Sequence, residues 1–319
     1  MLRQSVEVEV SGQDLDLIRQ LQVDGRTSFR ELAERTGISE RLIKARIDAL
    51  RKHGAMEITI VADPRRLGYP SMALVGVRTD PKIDPREIAE SFFDIPGVDY
   101  AVAVGGRFDV VAEVVAQSDQ ELFDTANLDI KRHEGVRSIE LFPLLELRHQ
   151  QLSWDAAQIE RMSVRDETDH VLEPVDWAII RTLSVDGRTS FLELARQLNV
   201  SESHIRSRFA KLLGNGLIKV QALTNPSLFG YKAVGWLCLR ANGSERIGKV
   251  ADRLATLPHV TYLALTAGRF QLFAEIVCKN KSELLSFVEN EFSGGISGEI
   301  LLCYDFLFRK ISYGDEYLK

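Results

Sequence analysis

Seven consecutive residues, Val23-Asp24-Gly25-Arg26-Thr27-Ser28-Phe29, return unchanged as Val185-Asp186-Gly187-Arg188-Thr189-Ser190-Phe191, 162 positions later. The same displacement relates Asp14 to Asp176, Gly54 to Gly216, Pro64 to Pro226, Gly68-Tyr69 to Gly230-Tyr231, Pro96 to Pro258, Gly106 to Gly268 and Glu113 to Glu275. A register held over that span is a duplication, so whatever fold the chain adopts must be built twice. The copies run from about 13 to 148 and from about 174 to 310 of the 319 residues. Segment 149–173 is polar and reads as a linker with a candidate short helix at 155–162.

Composition admits an ordinary globular chain, with 45% hydrophobic and 27% charged residues. No apolar run approaches the roughly 20 residues of a membrane span. The first residues alternate polar and apolar with no signal-peptide centre. A cytoplasmic location and no membrane partner are therefore expected. The three cysteines, Cys238, Cys278 and Cys303, form no CxxC pair and lie in apolar runs, the setting of small buried hydrophobes. The net charge of −6 argues against indiscriminate coating of nucleic acid, so charge has to be counted locally.

The opening of each copy (13–56 and 174–220) has the periodicity of three short helices. In copy one, Leu15, Ile18 and Leu21 mark the first helix. Ser28 caps the second, which carries Phe29, Leu32 and Ala33, with Glu31 placed for a capping box. Ser39 caps the third, with Ile43, Ile47 and Leu50 inward and Gly54 ending it. Copy two repeats this with Ser190, Ser201, Ile205, Phe209, Leu212 and Gly216, and Asn199 replaces Gly37 in a turn that needs a left-handed residue. Two helices joined by such a tight turn form a helix-turn-helix.

Charge supports a DNA-facing surface. Residues 13–56 hold nine Lys/Arg and seven Asp/Glu, and residues 174–220 hold seven and four. The heads therefore carry +2 and +3, and the rest of the chain −11. The N-terminal half of each third helix would enter the major groove of duplex DNA. This brings Glu40, Arg41 and Lys44 to base edges from copy one, and Ser203, His204 and Arg206 from copy two. Arg26, Arg188, Ser28, Ser190, Ser39 and Ser201 are candidate phosphate contacts at or near helix N-termini. Arg46 and Arg208 are either phosphate-facing or structural.

The remainder of each copy (57–148 and 221–312) opens with a short connector, Ile58–Ala62 or Val220–Leu223. The order β-α-β-β-α-β follows, which is ferredoxin-like. Its central hairpin turns on Gly105-Gly106-Arg107-Phe108. The expected fold is therefore α+β: two tandem units, each a winged-type three-helix head followed by a ferredoxin-like βαββαβ domain.

The three-helix head, the D-P-x-x-L-G-Y connector, the Pro96-Gly97-Val98 entry to the second strand and the G-x-x-D hairpin together resemble the Lrp/AsnC (leucine-responsive/asparagine-regulator) family of transcriptional regulators. The resemblance covers nearly the whole chain, twice. It implies sheet-to-sheet dimerisation, further self-association, and an amino acid or related metabolite bound at the ferredoxin-like domains. Carried over by position, the hairpin motif falls on Gly106, Arg107, Phe108 and Asp109, next to Gly105. In copy two it falls on Gly268, Arg269, Phe270 and Gln271, where the acid is missing. A tight turn with a surface arginine accounts for the same residues; if they form effector sites, the two sites differ. The enzymatic alternative is a siroheme decarboxylase, which shares this two-part architecture. None of the six histidines (His53, His133, His149, His170, His204, His259) falls in the segment after the connector where such an enzyme's motif is expected. A non-enzymatic chain without a cofactor is the preferred reading.

Overall fold

A computed structural model describes residues 10–150, 172–241, 246–291 and 296–304. The suggested helix at 155–162 lies outside them. The chain forms two compact units, one holding both helix-turn-helix heads and the other both ferredoxin-like halves.

In the first unit, head one comprises α1 (Gly12–Val23), α2 (Phe29–Thr36) and α3 (Glu40–Lys52), followed by strand β1 (Met56–Ala62). In α1, Ser11 and Asp14 exchange hydrogen bonds with each other's backbone N–H in a complete capping box. The box expected at Ser28 forms by half. Ser28 Oγ accepts from Glu31 N at 3.1 Å, while the Glu31 carboxylate turns to Arg35 Nη2 at 2.6 Å. Ile43, Ile47 and Leu50 seal α3 onto Leu17, Ile18, Leu21 and Leu32, all 3% exposed or less. Head two repeats this with α6 (Pro174–Val185), α7 (Phe191–Leu198), α8 (Glu202–Gly214) and β6 (Ile218–Thr224). Asn199 takes the left-handed turn position with φ +53°, where Gly37 has φ +69°.

The strand after each third helix takes its partner from the other copy. β1 and β6 pair antiparallel over their whole length, Met56 opposite Thr224 and Ala62 opposite Ile218. The expected connectors are thus a two-stranded ribbon joining the heads.

In the second unit, copy one supplies β2 (Ser71–Thr79), α4 (Pro85–Ser91), β3 (Val98–Gly105), β4 (Val110–Ala116), α5 (Asp119–Asp124) and β5 (Val136–Gln150). Copy two supplies β7 (Ala233–Ala241), α9 (Ile247–Leu254), β8 (Val260–Thr266), β9 (Leu272–Cys278), α10 (Lys281–Glu291) and β10 (Ile296–Cys303). The antiparallel orders β3-β4-β2-β5 and β8-β9-β7-β10 are both ferredoxin-like. They join through β5–β8 and β10–β3 into one closed barrel with no free edge. Val75 pairs with Leu141 and its counterpart Leu237 with Ile300, so the displacement falls from 162 to 159 in the last strand.

Each sheet packs its outer face against its own helices. Their inner faces meet in one aromatic core around Phe142, whose ring lies 4.8 Å from Phe273 and 5.9 Å from both Phe108 and Phe270.

Candidate nucleic-acid interface

The seven-residue repeat is the contact between the heads, which shows why both copies keep it. Gly25 N donates to Val220 O and Gly187 N to Ile58 O, each at 2.8 Å. A Cβ on Gly25 would stand 2.8 Å from Ile58 Cγ2 and 3.0 Å from Gln221 Cα, and one on Gly187 would stand 2.8 Å from Val220 Cγ1. Only glycine permits that approach. Asp24 and Asp186 each accept the backbone N–H two residues on, at 2.8 and 3.0 Å.

Arg26 and Arg188, expected at phosphates, reach carbonyls of the other head across this seam. Arg26 Nη1 donates to Gly187 O at 2.6 Å, and both of its Nη atoms donate to Thr189 O at 3.1 Å. Its guanidinium lies 4.3 Å from the Phe191 ring centroid. Reciprocally, Arg188 donates to Gly25 O at 2.8 Å and Thr27 O at 3.1 Å, and lies 4.5 Å from the Phe29 centroid. Burial lowers the pKa of both guanidiniums, and for Arg26 the neighbouring Arg188 charge adds to it. The sequence reading missed this because an arginine beside a helix start looks the same whether it meets a phosphate or a carbonyl of its twin.

Arg46 and Arg208 each bridge two helices of their own head. Arg46 Nη1 reaches Asp14 at 3.2 Å, tying α3 to the start of α1. Arg208 bonds Asp176, itself 1% exposed on its side chain, and Glu173 at 2.6 Å, tying α8 to the start of α6. Arg206 pairs along its own helix with Glu202 and lies 5.1 Å from the Phe191 centroid.

Glu40, Arg41, Leu42 and Lys44 are exposed on α3, as are Ser203 and His204 on α8. Ser28, Ser39, Ser190 and Ser201 are exposed N-caps whose oxygens accept from the third residue on, at 3.1 to 3.4 Å. Ser201 Oγ also shares a hydrogen bond with Ser203 Oγ at 3.0 Å, and a serine hydroxyl that accepts can still donate its proton. At their first turns the two helices differ: Arg41 stands against Ser203, Leu42 (45% exposed) against His204, and Lys44 against Arg206.

The barrel hairpins give the G-x-x-D residues structural tasks. Gly106 and Gly268 turn at φ +141° and +124° after Gly105 and Ala267. Phe108 and Phe270 are 3% and 2% exposed and belong to the barrel core. Asp109 Oδ2 accepts from Thr79 N at 2.8 Å, and Gln271 Oε1 accepts from the equivalent Ala241 N at 3.1 Å. The amide thus repeats the carboxylate's backbone contact; only the Arg78–Asp109 ion pair, at 3.1 Å, depends on the acid. Arg107 forks onto Glu299 at 2.5 and 2.7 Å, and Arg269 meets Glu140, the counterpart of Glu299, at 2.8 Å.

Glu113 and Glu275 serve the sequence argument only as register marks, yet they join the copies inside the barrel. Glu113, fully buried, accepts from Tyr262 Oη, and Glu275 accepts from Tyr100 Oη at 3.0 Å and Thr261 Oγ1 at 2.6 Å. Burial, and then the Glu275 charge, raises the Tyr100 pKa far above that of an ordinary phenol. Cys238 and Cys278 are fully buried, and burial pushes the Cys278 thiol up to about 12. Among the described residues no helix is long and apolar enough to cross a membrane.

Comparison with known proteins adds three family matches: an AsnC-type helix-turn-helix domain at 12–51 and 172–213, an Lrp/AsnC ligand-binding domain at 72–150, and a C-terminal dimeric alpha+beta barrel domain at 241–294. An HTH-type transcriptional regulator of Pyrococcus abyssi is 36% identical over 118 residues, 37% of this chain and 74% of that protein. The HTH-type transcriptional regulator LrpA of Pyrococcus horikoshii is 30% identical over 131 residues, 41% of this chain and 92% of that protein. Among solved structures, the siroheme decarboxylase NirDL superposes with a TM-score of 0.64 at 20% identity, covering 96% of this chain and 95% of its own. That likeness is one of fold.

Proposed function

We propose that this chain, which belongs to the Lrp/AsnC family of transcriptional regulators, binds duplex DNA sequence-specifically through its paired heads and reads two unlike half-sites. One observation carries the reading: a reciprocal seam of strand, glycine and arginine fixes α3 and α8 about a pseudo-two-fold, while their exposed first turns carry different side chains. In a helix-turn-helix those turns approach base edges. Arg41 and Lys44 suit guanine acceptors, Glu40 a cytosine amino group, and Leu42 a thymine methyl. Ser203, His204 and Arg206 offer shorter or more polar contacts on the other half-site. Ser28, Ser39, Ser190 and Ser201, with the helix N-termini they cap, suit phosphates. Arg46 and Arg208 act one step removed, by holding the reading helices in place.

The ligand-binding and dimeric-barrel domain matches at 72–150 and 241–294 support an effector-responsive, self-associating role for the barrel unit, with an amino acid or related metabolite bound near the Arg107–Asp109 and Arg269–Gln271 hairpins. We read the chain as non-enzymatic; a tetrapyrrole absorbance band that saturates on titration would overturn this.

The test is selection of random duplexes on the full chain. The expected sites have two different halves, and binding weakens as salt rises. Arg41→Gln should relax preference in one half and His204→Ala in the other, each costing about tenfold in affinity, the scale of one base contact. Recovery of perfect palindromes alone, or the same half-site relaxed by both variants, refutes the reading.

A further inference from the structure

The head unit contains a cavity of about 610 Å³, bounded by the turn after α1, the start of α7, the flank of α8 and β6. Its aromatic wall is Phe191 with Phe209, whose ring centroids lie 5.0 Å apart. Arg26 and Arg206 lie over Phe191 at 4.3 and 5.1 Å. Leu192 and Leu213, 47% and 41% exposed, are among the large apolar side chains the surface leaves uncovered, and both line the cavity. Four basic and two acidic residues line it (Arg26, Arg188, Arg206 and Lys219 against Asp24 and Glu202), a local excess of +2.

The duplication supplies an internal control. Displaced by 162 positions, Leu192 becomes Arg30, Phe209 becomes Ile47, Leu213 becomes Arg51 and Lys219 becomes Glu57. On that side Arg51 spans the seam to Asp186 at 3.0 Å. On the cavity side Asp24, the counterpart of Asp186, faces a leucine at 213. The two sides share one backbone plan. One is bridged by an ion pair, whereas the other has two arginines replaced by leucine, an aliphatic replaced by a ring, and an acid replaced by lysine.

Exposed leucines beside a phenylalanine pair lose water-contacting surface when something apolar covers them. Guanidiniums held over a ring favour an anion, through charge-assisted and often bidentate bonds. Arg26 still has N–H groups beyond those given to the two carbonyls, and Arg206 can exchange Glu202 for another carboxylate.

We propose that this cavity binds a small ligand with an aromatic body and a carboxylate. The body lies against Phe191, Phe209, Leu192 and Leu213, and the carboxylate lies between Arg26 and Arg206. The site uses none of the barrel hairpin residues, and the proposal does not depend on the DNA reading.

The test is calorimetric titration of the full chain with 2-naphthylacetate and, separately, with uncharged 2-naphthylacetamide. The acid is expected to bind once per chain and about tenfold more tightly than the amide, the scale of one charge-assisted pair. Leu213→Arg rebuilds the bridged side opposite Asp24 and is expected to weaken the acid by about tenfold or more. Leu192→Arg, the other residue of the bridged side, is the second variant should Leu213→Arg unfold, and retained thermal unfolding qualifies either. Equal binding of acid and amide overturns the proposal, as does a folded Arg variant that binds like the parent, or no binding at millimolar acid.

Discussion

In the head unit the two copies meet at one strand ribbon flanked by glycine and arginine contacts to main chain; in the barrel two strand pairs, β5–β8 and β10–β3, close around a core of side chains. The head seam is a ribbon of two strands, two glycines in backbone contact and two arginines donating to carbonyls. The barrel seam encloses Phe142, Trp236, Phe273, the buried Glu113 and the half-buried Glu275, each carboxylate held by a tyrosine of the other copy. Main-chain seams need the same geometry from both partners and tolerate almost no change at the contact. A side-chain core can be filled by unlike residues of suitable volume. The copies follow this division: the head contact is identical over seven residues, whereas inside the barrel Gly76, against Phe108, is replaced by Cys238.

Substitutions can separate the two kinds of seam. Phe142→Ala should cost the most, about 3–5 kcal/mol for a large buried ring among other rings, measured by denaturant unfolding. A loss under about 1 kcal/mol would mean that the barrel core repacks easily. Gly25→Ala or Gly187→Ala should cost about 1–3 kcal/mol, because the new methyl overpacks a backbone contact. Gly12→Ala, with open space around it, should stay within about 0.5 kcal/mol. Equal effects at Gly25 and Gly12 would mean that the ribbon yields.

Among the contact residues Arg107→Gln should cost least, about 0.5 kcal/mol, since the pair with Glu299 is one-third exposed and screened by water. Its pH dependence has a definite sign. Arg107 holds the Glu299 carboxyl below its usual value of 4.5. The stabilisation is therefore complete above that pH and is lost as the pH falls through the lower folded value. The parent and Arg107→Gln should converge in stability in acid; a gap that widens there would contradict the pairing.

The helices, their caps and the ferredoxin order were legible because 3.6-residue and two-residue periodicities and turn residues are local signals. Asn199 could be placed in a left-handed turn for the same reason. What escaped was pairing between copies. Met56–Ala62 reads as a β-rich connector, and nothing local says whether its partner is its own unit or its twin. The carbonyl partners of Arg26 and Arg188 across the seam are equally silent in the sequence, because a charged side chain reads as solvent-facing. The burial of Phe108 and Phe270 in the barrel core is not legible either, because a motif position gives no burial. Glu113 and Glu275 stand out in the sequence only as matching letters, since a carboxylate inside a barrel shows itself only once its donor across the barrel is known.

The reciprocity of the head seam also bears on how such a chain can change over generations. A substitution at Gly25 must be accommodated at once by an unaltered Ile58 and Gln221, although the identical residue at 187 is still intact. Two matched replacements would be needed where one arises. The exposed first turns of α3 and α8 carry no such debt to each other. A duplicated gene of this kind is therefore expected to drift first at the first turns of α3 and α8, while its seam is held in the ancestral spelling.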